Sequence, residues 1–224
     1  MRDMFGTIAP KYDFITRVFS YGMDRGWKRM AVAGAALPAR AAVLDLACGT
    51  GDFGKLAAAH CSGAHIVAAD LTEPMLRLAE IPDRACADAA SLPFRTECFD
   101  AVFVGYGLRN FPRLATALEE VRRVLKPGGL LVTLDFFLPA RPSLQRLFLA
   151  YLYAQGAFWG LVLHRRARVY TYIPDSLRTF LPAEKFSLLL KKTGFADVTA
   201  RQFLLGGIAV HWAKKSPPAC ADIQ

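Results

Sequence analysis

Gly49, Gly51 and Gly54 stand in G-x-G-x-x-G spacing, preceded by Asp45, interrupted by Asp52, and followed about twenty residues later by Asp70. Glycines so spaced let a backbone turn pass close to a nucleotide, and an acid at the end of the next strand accepts ribose hydroxyls. That pattern alone admits a nicotinamide dinucleotide. The acids narrow it, because Asp45 ends the first strand and Asp52 opens the helix whose positive N-terminus would have to hold a pyrophosphate. An unpaired carboxylate there repels a diphosphate. S-adenosylmethionine carries no phosphate, and its amino-acid end carries an ammonium that Asp45 and Asp52 can accept. The plainer reading makes these two residues a strand-end carboxylate and a helix N-cap. The donor reading explains the acids, the glycines and Asp70 together.

The elements that must hold these residues follow from hydropathy patterning. Residues 42–46 read as a strand and 52–60 as a helix. Residues 65–70 are a strand, 74–79 a short helix, 85–88 a brief strand and 100–106 a strand rich in Val and Phe. Residues 112–125 are helical, stopped by Lys126-Pro127-Gly128-Gly129, and 130–136 form the next buried strand. This alternation predicts an open parallel sheet with helices on both faces and ligands at the carboxyl ends of the strands. Residues 183–193 then read as a helix, and 197–205 and 208–214 as strands joined by Gly206-Gly207, a two-residue antiparallel hairpin. A parallel sheet finished by a hairpin points to a class I, Rossmann-like methyl-transfer fold of seven strands more than to a nucleotide oxidoreductase. We expect one domain over residues 1–224, with residues 1–40 as an N-terminal helical lid and 139–182 as an insertion forming a substrate wall.

At 224 residues and 54% hydrophobic content the chain can bury a full core. Its net charge of +9 suits an anionic partner but sets no fold. Cys48, Cys61, Cys86, Cys98 and Cys220 are odd in number and never spaced C-x-x-C, which argues against disulfides or a zinc knuckle and for reduced thiols in the cytoplasm. The opening MRDMFGTIAPKYD has no apolar run behind its charges, so no signal peptide is expected. His164 lies in a basic run, His211 on the last strand reads as core, and His60 and His65 look peripheral. No metal-ligand spacing is visible, and none is needed for methyl transfer from a sulfonium.

The segments VLDLACGTGDF, AADLTEPML, ADAASLPF, FDAVFVGYGLRNF, RVLKPGG, YTYIPDSLRTF and FLLGGIAVHWAKK, behind an opening MFGTIAPKYDFITRVFSYGMDRGWKR, occur in the order seen in one family. The chain resembles the ubiquinone/menaquinone biosynthesis C-methyltransferases, in their short, demethylmenaquinone methyltransferase-like form. The resemblance implies S-adenosylmethionine-dependent C-methylation of a 2-polyprenyl-1,4-quinol, with S-adenosylhomocysteine as product; another hydrophobic phenol or quinol is the alternative substrate. It places cofactor contacts on Thr50, on Asp70 with Leu71, and on Asp88 and Ala89, where the carboxylate reaches the adenine amino group. Gly105 stands where some members have a serine. Gly6, Thr16 and Asp135 replace the usual Asp, Asn and Glu, differences that bear on the quinol more than on the reaction.

A quinol carbon attacks the methyl group best when the neighbouring hydroxyl is ionised, so the protein must align the partners and favour a phenolate. Arg109 of GLRN is the residue expected to hold that phenolate. With a pKa above ~12 it acts by acidifying the hydroxyl or through a water, which Asn110 orients. Tyr12 and Asp13 on the lid are further candidates, Asp13 as base; a packed Tyr and a capping Asp are the alternative.

Residues 147–163, LFLAYLYAQGAFWGLVL, are apolar except for Gln155 and are flanked by Arg146 and by Arg165, Arg166 and Arg168. This approaches the ~18 residues of a spanning helix. Spanning is disfavoured, because the final helix and hairpin must return to the same sheet. An interfacial helix or a greasy substrate channel fits better, with a buried helix pair packed through Gly156 and Gly160 as the alternative. The expected partners are a lipophilic quinol, a membrane surface at the inner face of the plasma membrane, and a second copy of the chain. Nucleic acid is not expected, since no Asp/Asn-Pro-Pro-aromatic tetrapeptide follows the fourth strand. A nicotinamide-dependent oxidoreductase meets only the glycine pattern, and a non-catalytic binding module sharing the fold stays open.

Overall fold

The apolar run AVLDL forms β1 (Ala42–Leu46), buried from its second residue to its last, as a central strand covered on both faces must be. In the computed structural model, which describes residues 12–167 and 170–217, β1 lies inside a seven-stranded sheet of order β3-β2-β1-β4-β5-β7-β6. The other strands are β2 (His65–Asp70), β3 (Asp83–Cys86), β4 (Phe99–Gly105), β5 (Leu125–Phe136), β6 (Phe195–Phe203) and β7 (Ile208–Lys215). The first five run parallel, and β7 is antiparallel to both β5 and β6. The sheet is therefore the class I methyltransferase arrangement expected. Chain order reverses between β1 and β4, which opens a crevice at their carboxyl ends.

Side-chain alternation sends Val43 and Phe103 to one core and Leu44, Leu46, Val102 and Val104 to the other. The first core is closed by α2 (Asp24–Gly34) and α3 (Asp52–His60), the second by α5 (Leu114–Val124) and α8 (Ala183–Lys192). The remaining helices are α1 (Tyr12–Phe19), α4 (Glu73–Leu78), α6 (Pro142–His164) and α7 (Tyr172–Arg178).

Several boundaries differ from expectation. The fifth strand starts at Leu125, because Lys126-Pro127-Gly128-Gly129 makes an irregularity in the β4 pairing, with Phe99 opposite Leu125 and Ala101 opposite Leu130. The third strand ends at Cys86, so Asp88 lies in the turn beyond it, its Oδ1 accepting from Ala90 N. The hairpin is not a two-residue Gly-Gly turn. Phe203 pairs with Ile208, and Leu204–Gly206 make a 3₁₀ turn between them with Leu204 and Leu205 at φ 48° and 56°. Gly207 is required by packing instead, since a Cβ there would meet the Phe148 ring at 2.5 Å.

The lid divides in two. α2 belongs to the core: Trp27, Ala31 and Val32 are buried, and Trp212 Nε1 donates to Ala31 O at 3.0 Å. α1 instead lies on the insertion, where Phe14 meets Trp159 edge-on at 5.4 Å and Tyr21 stacks on Tyr151 at 5.6 Å. Residues 1–11 of the expected lid lie outside the described residues.

α6 is long and apolar enough to cross a membrane, with mean hydropathy 1.2 over its richest stretch. The chain then doubles back along it. A Cβ at Gly160 would lie 2.5 Å from Arg166 O and one at Gly156 3.0 Å from Tyr170 O, so these glycines admit the returning backbone. Leu152 is fully buried, whereas Leu147, Phe158, Leu161 and Val162 are exposed. The insertion thus combines the tight glycine packing with an uncovered apolar face.

Candidate active site

The crevice at the β1/β4 reversal holds a cleft and an adjoining smaller recess that share Ala47, Gly49, Gly105 and Tyr106 in their walls. β1, β2 and β4 deliver these walls, and β1 and β4 each end in a sharp change of backbone. Ala47 and Tyr106 both adopt positive φ, 53° and 57°.

The cleft brings together Gly49, Asp70, Leu71, Asp88, Ala89, Gly105 and Asn110 of the expected set. Asp70 Oδ2 accepts from Gly49 N at 3.1 Å and Oδ1 from Thr72 N at 2.8 Å, so the same carboxylate that faces the cleft also fixes the glycine turn. Burial raises the Asp70 pKa above the ordinary carboxylate range, against the pull of these N–H groups. Asp88 lies at the cleft edge, its Oδ2 3.3 Å from the Arg113 guanidinium. A Cβ on Gly105 would meet the Phe53 ring at 2.8 Å, which explains why a side chain is not accommodated at this position.

The recess holds Asp45, Gly49, Thr50 and Asp52. Asp45 is 1% exposed, its Oδ2 accepting from the Gly54 backbone N–H at 2.8 Å. Burial pushes its pKa up to about 7, opposed by that hydrogen bond and by Lys28. Asp52 is not the unpaired carboxylate expected: Lys28 Nζ from α2 lies 2.6 Å away. Mutual repulsion with a diphosphate therefore rests less on Asp52 than on Asp45, which already occupies the N–H that a phosphate would seek at the start of α3. Gly51 lines neither space and packs against Ile81, at 3.0 Å from a built Cβ.

Arg109 follows the fourth strand as expected, but its side chain is turned into the protein. Its side chain is 2% exposed and forms an ion pair with the fully buried Asp135, and its guanidinium also donates to Tyr106 O at 3.0 Å. Asp135 further accepts from Leu108 N at 2.8 Å and Phe136 N at 2.7 Å. Burial raises the Asp135 pKa, with Arg109 pulling it down. Tyr172, the second tyrosine of the Y-x-Y motif, is hydrogen-bonded to Arg109. The guanidinium is thus held by buried partners, and Asn110 lines the cleft while Arg109 is not among its lining residues. Tyr12 and Asp13 begin α1, and their side chains lie outside the described residues, as do those of His164 and Arg168. His211 is buried with Nε2 3.2 Å from Ala183 O, and burial lowers its pKa to about 4.

Lys28, Tyr106 and Tyr172 were not singled out by sequence reasoning as site residues. Only Tyr172 carried a usable signal, in its motif. A methyl donor with an adenosine half and a zwitterionic half fits this donor set: carboxylates for hydroxyl and amino groups in the cleft, and charged groups of both signs in the recess. Among the described residues no group of three or more His, Cys, Asp or Glu could hold a metal.

The ubiE/COQ5 methyltransferase family profile matches residues 1–215. A demethylmenaquinone methyltransferase of Thermus thermophilus is 36% identical, covering 93% of this chain and 98% of its own length. A ubiquinone/menaquinone biosynthesis C-methyltransferase of Desulfotalea psychrophila is 37% identical over 95% of this chain and 89% of its own. Among solved structures, an S-adenosylmethionine-dependent methyltransferase of Thermotoga maritima is similar in fold, with TM-score 0.67 at 20% identity, covering 96% of this chain and all of that one.

Proposed function

The chain belongs to the ubiE/COQ5 methyltransferase family, and we propose that it methylates a ring carbon of a lipophilic 1,4-quinol of the demethylmenaquinol class, in quinone biosynthesis, using S-adenosylmethionine. One observation supports the donor above others: the start of α3 is met by the Asp45 carboxylate, so the recess is suited to an ammonium and not to a phosphate. Bound there, the donor supplies a methyl group on a sulfonium.

The chain's own residues then have divided tasks. Asp70 and Asp88 accept hydrogen bonds from the adenosine half, and Asp45 takes the ammonium. Asn110, at the cleft wall, orients a water or the quinol hydroxyl. Arg109, next in sequence to Asn110 and held by Asp135 and Tyr106 O, favours the phenolate through the oriented dipole of its buried ion pair, because fields in a buried wall are weakly screened. Asp13 removes the proton, with Tyr12 beside it on α1. The exposed apolar face of α6, flanked by Arg146, Arg165 and Arg166, meets the cytoplasmic membrane surface from which such a quinol is drawn.

The test is an assay of the purified protein with S-adenosylmethionine against a short-chain demethylmenaquinol, a 2-methoxy-phenolic quinol and RNA, scored by release of S-adenosylhomocysteine. Turnover is expected with demethylmenaquinol. Methylation of RNA but of neither quinol would overturn the reading.

A further inference from the structure

We infer that Lys28 is a binding residue for the carboxylate at the amino-acid end of the methyl donor, an inference that rests on the donor reading above. Lys28 lies on α2, in the stretch DRGWKRMAVAG, where a lysine would ordinarily extend into solvent. Here it is 6% exposed, and its ammonium lines the recess beside the glycine loop. Taking an ammonium out of water is costly unless partners compensate. Asp52 at 2.6 Å and Asp24 at 3.4 Å supply part of that compensation.

A purely structural tie between α2 and the loop would explain those contacts but not their placement. The Asp52 side chain is 39% exposed, and both members of the pair line the recess. The ammonium has three donors, of which Asp52 takes one at short range and Asp24 one at long range. Its Nζ also lies 5.8 Å from the centre of the Tyr106 ring, at the junction of recess and cleft.

Charge balance points the same way. Asp45 and Asp52 line the recess, and Asp70 lies just beyond it; Asp52 and Asp70 both act electrostatically on Asp45. Among the described residues lining the recess, Lys28 is the one cation. An amino-acid zwitterion brings an ammonium, which Asp45 suits, and a carboxylate, which would enter a field of like charge without Lys28. The recess is matched to a ligand of both signs by having both signs in its wall.

The experiment measures binding by calorimetry to the full chain with three probes: S-adenosylhomocysteine, its decarboxylated amine analogue, and 5′-methylthioadenosine. Wild type is expected to prefer S-adenosylhomocysteine over the decarboxylated analogue by about 10- to 100-fold, the range of a charge-assisted hydrogen bond. In Lys28→Met that preference is expected to vanish, while 5′-methylthioadenosine affinity moves by less than about two-fold. Lys28→Gln, which keeps a hydrogen-bond donor for Asp52, is read alongside and is expected to lose most of the preference. Three results would overturn the inference: wild type without the preference, variants that retain it, or all three probes weakened by one factor, which would make Lys28 a buttress of the loop. Wild type that binds none of the probes would instead remove the donor reading itself.

Discussion

Asp45 Oδ2 and the Gly54 backbone N–H, 2.8 Å apart, join the end of β1 to the first turn of α3. The relationship fixes what the glycine loop can hold. In a phosphate-binding loop the N–H groups at the helix start point at the ligand; here a carboxylate from the neighbouring strand has one of them. A ligand group that meets Asp45 there must then be positive or neutral, not a phosphate.

Asp45 gives the first prediction. Burial raises its pKa to about 7 in the folded protein, against 3.8 for an unperturbed Asp. The folded state keeps a proton that the unfolded chain loses between those values, so its contribution to stability is full below about pH 4 and is lost as pH rises to about 7. Asp45→Asn should therefore gain on wild type in urea denaturation between pH 5 and 8, by roughly 1–3 kcal/mol. Affinity for S-adenosylhomocysteine should rise through pH 7 in wild type, and in Asp45→Asn should be flat and weaker by about 10- to 100-fold. Equal affinity at pH 8 would remove Asp45 from the donor site.

The Arg109–Asp135 pair gives the second. Removing one partner leaves a charge stranded in the core, so Arg109→Leu should lower stability by about 3–5 kcal/mol. Arg109→Leu with Asp135→Asn should recover much of this, since Asn still accepts from Leu108 N or Phe136 N. The refolded double variant should have little turnover. Full turnover in it would mean that the buried guanidinium serves the fold alone.

Gly105 gives the third. A serine there must push the Phe53 ring, which lies against Phe103 with ring centres 5.3 Å apart. Gly105→Ser should cost about 1–3 kcal/mol by overpacking, and Phe53→Leu should relieve part of the loss. A double-mutant cycle in thermal denaturation measures the coupling; strict additivity would mean that the two positions do not meet.

The fourth concerns α6. Phe158 and Leu161 are more than half exposed. Phe158→Ser with Leu161→Ser should lower cosedimentation with anionic vesicles by at least about ten-fold, at roughly 25 cal/mol per Å² of apolar surface, with melting temperature little changed. Wild type that ignored anionic vesicles at low salt would defeat the membrane assignment.

The sheet could be read from the sequence because the central strands are mostly apolar runs between turn residues, and because the crossover helices leave few topologies open. What escaped was set at long range. Lys28 is one polar residue on an amphipathic helix until Asp52, 24 positions away, claims it. Arg109 is a lone basic residue after a strand until β5 brings Asp135 beneath it. Gly207 reads as half of a hairpin turn, whereas its role is set by Phe148 arriving from the insertion. The site acids were readable because their positions at strand ends follow from topology. The basic partners were not, because those depend on how helices outside the sheet are laid against it.

The return of the chain along α6 has a structural consequence. Arg166 and Ala167 lie against the helix at Gly160, Tyr170 and Thr171 lie against it at Gly156, and the next residue, Tyr172, is hydrogen-bonded to Arg109. The greasy outer helix and the buried guanidinium are therefore joined through one short stretch of chain, Tyr170 to Tyr172.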